Sequence, residues 1–125
     1  MYHLILVAAG GAIGASLRHL SNLAALRLLG SNFPFGTAFV NVSGSFLMGI
    51  VMEIVARRFG ASNELRLFLA VGLLGGFTTF SSFSLDAVAL YERGALGLAA
   101  FYVIGSVVAG IAALFAGLAA ARGLV

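Results

Sequence analysis

Four apolar stretches, Tyr2 to Leu17, Phe35 to Met52, Leu65 to Leu85 and Ala95 to Ala121, are divided only by short polar connections. Each is near the roughly 20 residues that a helix needs to cross a bilayer. The chain is 62% hydrophobic and 9% charged, whereas a soluble domain carries about 25% charged residues. It therefore reads as an all-α membrane protein. The first stretch continues past Arg18 toward Leu29, so the expected spans are about 2–28, 35–56, 64–90 and 95–121 of a single four-span domain, 1–125.

Several function classes drop out early. Met1 to Leu6 holds no Lys or Arg, so the first span reads as part of the mature protein and not as a secretory signal. Without cysteine there is no thiolate chemistry, and His3 and His19 are too far apart in sequence to propose a metal centre. The sequence pI of about 10.2 reflects an excess of only three charges, carried by arginines at the segment ends. Such charges orient spans and do not point to nucleic acid. Arg57, Arg58, Arg66 and Arg122 fall on the side of both termini, against Arg27 and Arg93 on the other. That bias is too small to fix one orientation.

The connections are Gly30 to Pro34 ("GSNFP"), residues 56–64 ("ARRFGASNE") with a helix start at Ser62 and Asn63, and residues 91–95 ("YERGA"). All are short, so consecutive spans are expected to run antiparallel. Four spans leave little room for the inverted repeats that build a central site in transporters, so a pathway calls for a second copy of the chain.

Polar side chains at membrane depth face the bundle interior or a wet cavity. Thr37, Asn41 and Ser45 recur at four-residue spacing, one stripe down the second span, and either glue helices together or line a path with neutral donors. In the fourth span Tyr102, Ser106 and Gly110 share a line beside Gly105, Ala109, Ala113 and Gly117, the latter a close-packing face. Gly10, Gly14 and Arg18 share a face of the first span, where the guanidinium is either an orienting charge or part of a pore mouth.

The third span contains "GGFTTFSSFS", residues 75–84. Gly75 and Gly76 weaken the helix, and the hydroxyls that follow re-satisfy backbone groups set free by a break. Exposed carbonyls at such a break are a usual way for a membrane protein to hold a cation. The competing reading is a Gly72/Gly76 helix contact with no break. Phe77, Phe80 and Phe83 drift only about 60° of helix arc per step and so are expected to form one ridge, interleaved with Thr79, Ser81 and Ser84. Ring edges are positive, so edge-on rings and neutral donors together line a passage for an anion.

This string, with "NVSGS" after "GT" in the second span and "GASLRH" in the first, resembles the Fluc/CrcB fluoride-channel family over all four spans. The resemblance implies two chains assembled antiparallel, two fluoride pores and a structural sodium ion at the dimer centre. It implies pore positions for Asn41, Phe80 and Phe83, with Thr37 and Thr79 beside the pore. Tyr102 and Ser106 match the polar track of the fourth span, Arg18 the vestibule arginine, and Gly75 and Thr78 the positions whose backbone carbonyls hold sodium. Ser81 is a further small donor for the anion. Two positions depart from the pattern: Gly110 where another hydroxyl is common, and Phe77, taken as packing, where an aliphatic residue is usual. Asp86 stands where relatives often carry Glu, as a cap, a charge partner or a pore residue.

The implied function is passive fluoride export from a bacterium across its inner membrane, with no enzymatic step and no ATP site. The rival is a small proton-coupled multidrug exporter of the same size, which needs an ionisable carboxylate in the middle of a span, typically the first. The first span here has none.

Overall fold

The computed structural model describes residues 1–124. Long helices follow the apolar stretches: α1 (Tyr2–Leu29), α2 (Phe35–Arg58) and α5 (Leu96–Leu124) are continuous, whereas the third span is divided. Its first part, α3 (63–77), begins with a turn of α-helix at Asn63–Leu65, widens into a π-helix at Arg66–Leu74 and ends with an α-turn at Gly75–Phe77. Thr78 and Thr79 are extended, and α4 (Phe80–Glu92) completes the crossing. The chain is a multi-pass membrane protein, with four helical crossings long and apolar enough to span a bilayer.

Capping chemistry sets where the third span starts. The Ser62 hydroxyl accepts the Leu65 N–H at 3.2 Å, satisfying one of the donors that a helix start leaves open. Gly30 and Gly94 end α1 and α4 with positive φ, the region that glycine enters without a Cβ penalty.

Lipid supplies no hydrophobic drive between helices, so spans associate through close approach of small residues. Two pairs do so here. Gly10 and Gly14 of α1 lie against the Phe68–Phe77 backbone, while Gly72 and Gly76 of α3 face back. A methyl on Gly76 would stand 2.7 Å from the Gly11 carbonyl oxygen, and one on Gly72 2.9 Å from that of Val7. In the second pair Gly49 of α2 meets the Leu114 carbonyl of α5 and Gly117 meets that of Phe46. Contacts climb in the same direction along both partners, so each pair is parallel, and α1 and α2 close the hairpin between them.

The second pair corrects the small-residue line read from α5. Gly117 and Ala121 are buried, but Ala109 is exposed; the line on α2 passes through Tyr102, Gly110 and Gly117 instead. At its far end the Glu53 carboxylate is shared by Arg57 and by Arg122, the latter at 3.4 Å.

Because the methyl of an alanine at position 14 would overlap the Leu73 carbonyl, Gly14→Ala is expected to destabilise the protein by about 1–3 kcal/mol. Gly97, with open space around it, serves as the control, and Gly97→Ala should leave stability unchanged. Thermal unfolding of the purified variants in detergent checks the contrast.

Candidate functional site

The break falls at Thr78–Thr79, two residues beyond the glycine pair that the sequence pointed to. Gly76 and Gly72 are used for contact with α1, so the helix contact and the break coexist. At the break, side chains take up the helix donors. The Asn41 Oδ1 accepts the Thr79 N–H at 2.7 Å, and the Asn41 Nδ2 donates to the Thr79 carbonyl at 2.9 Å. One amide from α2 thereby grips both polar groups of a single peptide residue. Thr79 Oγ1 accepts the Ser82 N–H at 3.1 Å and starts α4 as its N-cap.

These diversions have a specific consequence for two carbonyls. In a continuous α-helix the Thr79 N–H bonds the Gly75 carbonyl and the Ser82 N–H bonds that of Thr78. Here both donors go elsewhere, to Asn41 and to Thr79 Oγ1. Nearby backbone is satisfied locally: Leu74 O accepts both the N–H and the Oγ1 hydroxyl of Thr78, at 3.0 and 2.9 Å. Arg18 of α1 donates its Nε to the Gly76 carbonyl at 3.0 Å. The face carrying Gly10, Gly14 and Arg18 thus points at α3, and the guanidinium is held against the end of that helix, where its charge complements the carbonyl dipoles.

The Thr37–Asn41–Ser45 stripe is one face of α2, as expected, and Ser45 bonds back to the Asn41 carbonyl at 2.7 Å. A cavity of about 330 Å³ lies beside it, lined by Asn41, Ser45, Met48, Thr78, Thr79 and Phe80. Ser81 joins this group through Thr79, the two hydroxyl oxygens standing 3.3 Å apart.

The phenylalanines do not form one ridge. Two extended residues between Phe77 and Phe80 reset the helical phase, so the rings diverge. Phe77 is buried over Gly44, consistent with a packing role, whereas Phe80 is 79% exposed. Phe83 links Phe80 to Tyr102, with ring centroids 5.8 Å and 5.0 Å apart.

Tyr102 is fully buried. Its hydroxyl donates to Asp86 Oδ2 at 3.2 Å, with Thr37 next to it, which makes Asp86 the partner of the polar track. A second cavity, about 390 Å³, contains Asn22, Thr37, Ser82, Asp86 and Arg93 and opens toward the 30–34 turn. Ser106 follows Tyr102 by one turn of α5, half-buried. Thr37 and Asn41, one turn apart, connect the group around the break with the group around Tyr102.

Sequence spacing did not disclose the bonds from Arg18 to Gly76 and from Tyr102 to Asp86, because each joins different spans. Nor did it disclose the π-helix; Gly75 N–H reaches back to Ala70 O, five residues away, with no residue signal that sets this register apart from an α-helix.

The family described as "CrcB-like protein, Camphor Resistance (CrcB)" matches residues 5–118. A protein of Agrobacterium fabrum named "Fluoride-specific ion channel FluC" is 62% identical over 124 residues, 99% of each chain. Proteins of the same name from Chelativorans sp. and Mesorhizobium japonicum are 60% and 56% identical, again over 99% of both chains.

Replacing Thr79 with Val removes the N-cap acceptor while keeping the branched shape. The expected cost is about 1 kcal/mol, with amide exchange at Ser82 faster than in the wild type and exchange at Leu90, buried near the far end of α4, unchanged. Hydrogen–deuterium exchange of peptides covering residues 78–92 reads this directly.

Proposed function

The chain belongs to the CrcB-like family, and from that premise we propose that it is a fluoride-selective channel of a bacterial inner membrane, giving cytoplasmic fluoride a passive way out and so protecting the cell from fluoride toxicity. The observation that carries this reading is the composition of the path at the break. Asn41, Ser81 and Thr79 offer neutral polar groups, Phe80 and Phe83 offer rings, and Tyr102 continues the line with Thr37 and Ser106 beside it.

Hydrofluoric acid crosses membranes as the neutral molecule and ionises in a more alkaline cytoplasm, leaving the anion inside. A potential of about 100 mV, inside negative, is worth roughly 2.3 kcal/mol per charge, nearly 50-fold in concentration. An open path is therefore enough to expel fluoride, without a catalysed reaction. Small donors and ring edges replace water around a compact anion. Chloride, being larger, is excluded by fit.

Two features of the single chain favour a second, antiparallel copy as its partner in the bilayer. Phe80, a proposed pore ring, is 79% exposed, and the cavity it lines beside Asn41 needs a wall. Arginines at both ends permit insertion in either direction. A sodium ion at the centre of that pair fits the Gly75 and Thr78 carbonyls, because hard cations take oxygen ligands and both oxygens lack their helical donors. When bound, the ion would supply a fixed positive charge beside the Gly75 and Thr78 carbonyls. Arg18 donates to the neighbouring Gly76 carbonyl, and its positive charge would draw anions toward a pore mouth on that side.

Two experiments test the proposal. Liposomes loaded with fluoride or chloride and bearing the purified protein should lose fluoride rapidly and chloride slowly, and Phe80→Ile should slow the fluoride loss roughly tenfold or more, equivalent to at least about 1.4 kcal/mol of barrier. Fluoride retention together with uptake of a lipophilic cation driven by a pH gradient would instead identify a proton-coupled exporter. Since the chain has no cysteine, a single Cys at Gly97 reports orientation: an impermeant maleimide added outside intact cells should label about half the molecules if both orientations are populated equally.

A further inference from the structure

Asn41 has more to do than its place beside the pore requires. Its amide is held in one orientation, the oxygen on the Thr79 N–H at 2.7 Å and the nitrogen on the Thr79 carbonyl at 2.9 Å. The first of these bonds removes the donor that would otherwise close onto Gly75. A side chain from α2 therefore decides whether a carbonyl of α3 is free.

We infer that Asn41 is a positioning residue for the cation site: by capturing the Thr79 N–H through Oδ1, it leaves the Gly75 carbonyl available to a cation. The inference rests on the sodium reading proposed above. The Thr78 carbonyl loses its donor to Thr79 Oγ1, a local cap within the same segment, so only the Gly75 oxygen depends on another helix. Asn carries two N–H donors on one nitrogen. The clamp uses one, and the other remains for an anion in the cavity that Asn41 lines. The same amide thus serves the anion path with its nitrogen and the cation site with its oxygen.

The two duties separate in the right variants. Asn41→Asp keeps an oxygen for the Thr79 N–H but replaces the donors with a negative charge. Asn41→Val keeps neither, and Asn41→Ser is polar but too short to reach. Melting temperatures of the purified full-length protein would be compared in sodium and in N-methyl-D-glucamine at equal ionic strength, alongside fluoride efflux from liposomes. A ligand that binds only the folded protein raises its melting temperature. Wild type and Phe80→Ile should show the same rise with sodium. Asn41→Asp should keep the rise while losing fluoride efflux, and Asn41→Val and Asn41→Ser should lose most of the rise.

A full rise in Asn41→Val or Asn41→Ser would overturn the inference, as would its loss in Asn41→Asp. If Asn41→Val does not fold, the Ser variant carries the comparison. Absence of any rise in wild type would refute the sodium reading, and the positioning role with it, while wild-type fluoride efflux would still decide the channel proposal separately.

Discussion

A helix that stops inside hydrocarbon must find partners for every peptide group it releases, since each one left unsatisfied costs several kcal/mol. The organisation around residues 75–84 follows from that constraint. Asn41 takes the Thr79 N–H and carbonyl, Thr78 Oγ1 shares the Leu74 carbonyl, Thr79 Oγ1 caps α4 and Arg18 covers the Gly76 carbonyl. Three separate segments contribute, so the break holds its shape only when the bundle is assembled.

The glycine contacts serve the same end. Gly14 lets α1 approach closely enough for Arg18, one turn later, to reach the end of α3. Gly44 leaves room for Phe77 and the Thr78 methyl, seating the break against α2 one turn from Asn41. A side chain at either glycine would push away the residue that satisfies the broken backbone. Helix packing, worth little per contact in lipid, thus controls hydrogen bonds whose loss is expensive.

Periodicity revealed the spans, the Thr37–Asn41–Ser45 stripe and the glycine–arginine face of α1, because each is a property of one helix. Glycines followed by hydroxyls, a local signal, offered a break within residues 75–84 as one of two readings, beside a Gly72/Gly76 contact on an unbroken helix. The exact position did not follow: Gly75 and Gly76 remain helical while Thr78 and Thr79 are extended. An asparagine on another span holds Thr79 at that point, beside the local N-cap that Thr79 itself supplies, and the asparagine's part is not written in the segment's own propensities. The phenylalanine ridge failed for a related reason. Spacing predicts a shared face only while the helix continues, and Phe77 and Phe80 lie on opposite sides of its interruption.

The neutrality of the proposed path has an energetic rationale. A fixed cation about 4 Å from an anion, at an effective dielectric near 20, contributes about 4 kcal/mol, which would slow release nearly a thousandfold. A neutral hydrogen bond contributes about 1 kcal/mol net, enough to offset part of the anion's lost hydration without holding it. Two charged side chains of this chain near the path are already engaged: Arg18 donates to the Gly76 carbonyl, and Asp86 accepts from Tyr102. The Arg18 charge sits at the end of α3, where carbonyl dipoles partly compensate it, and so attracts an anion less strongly than a free guanidinium would. An arrangement of this kind favours throughput over affinity, which is what a passive exit for a toxic anion needs.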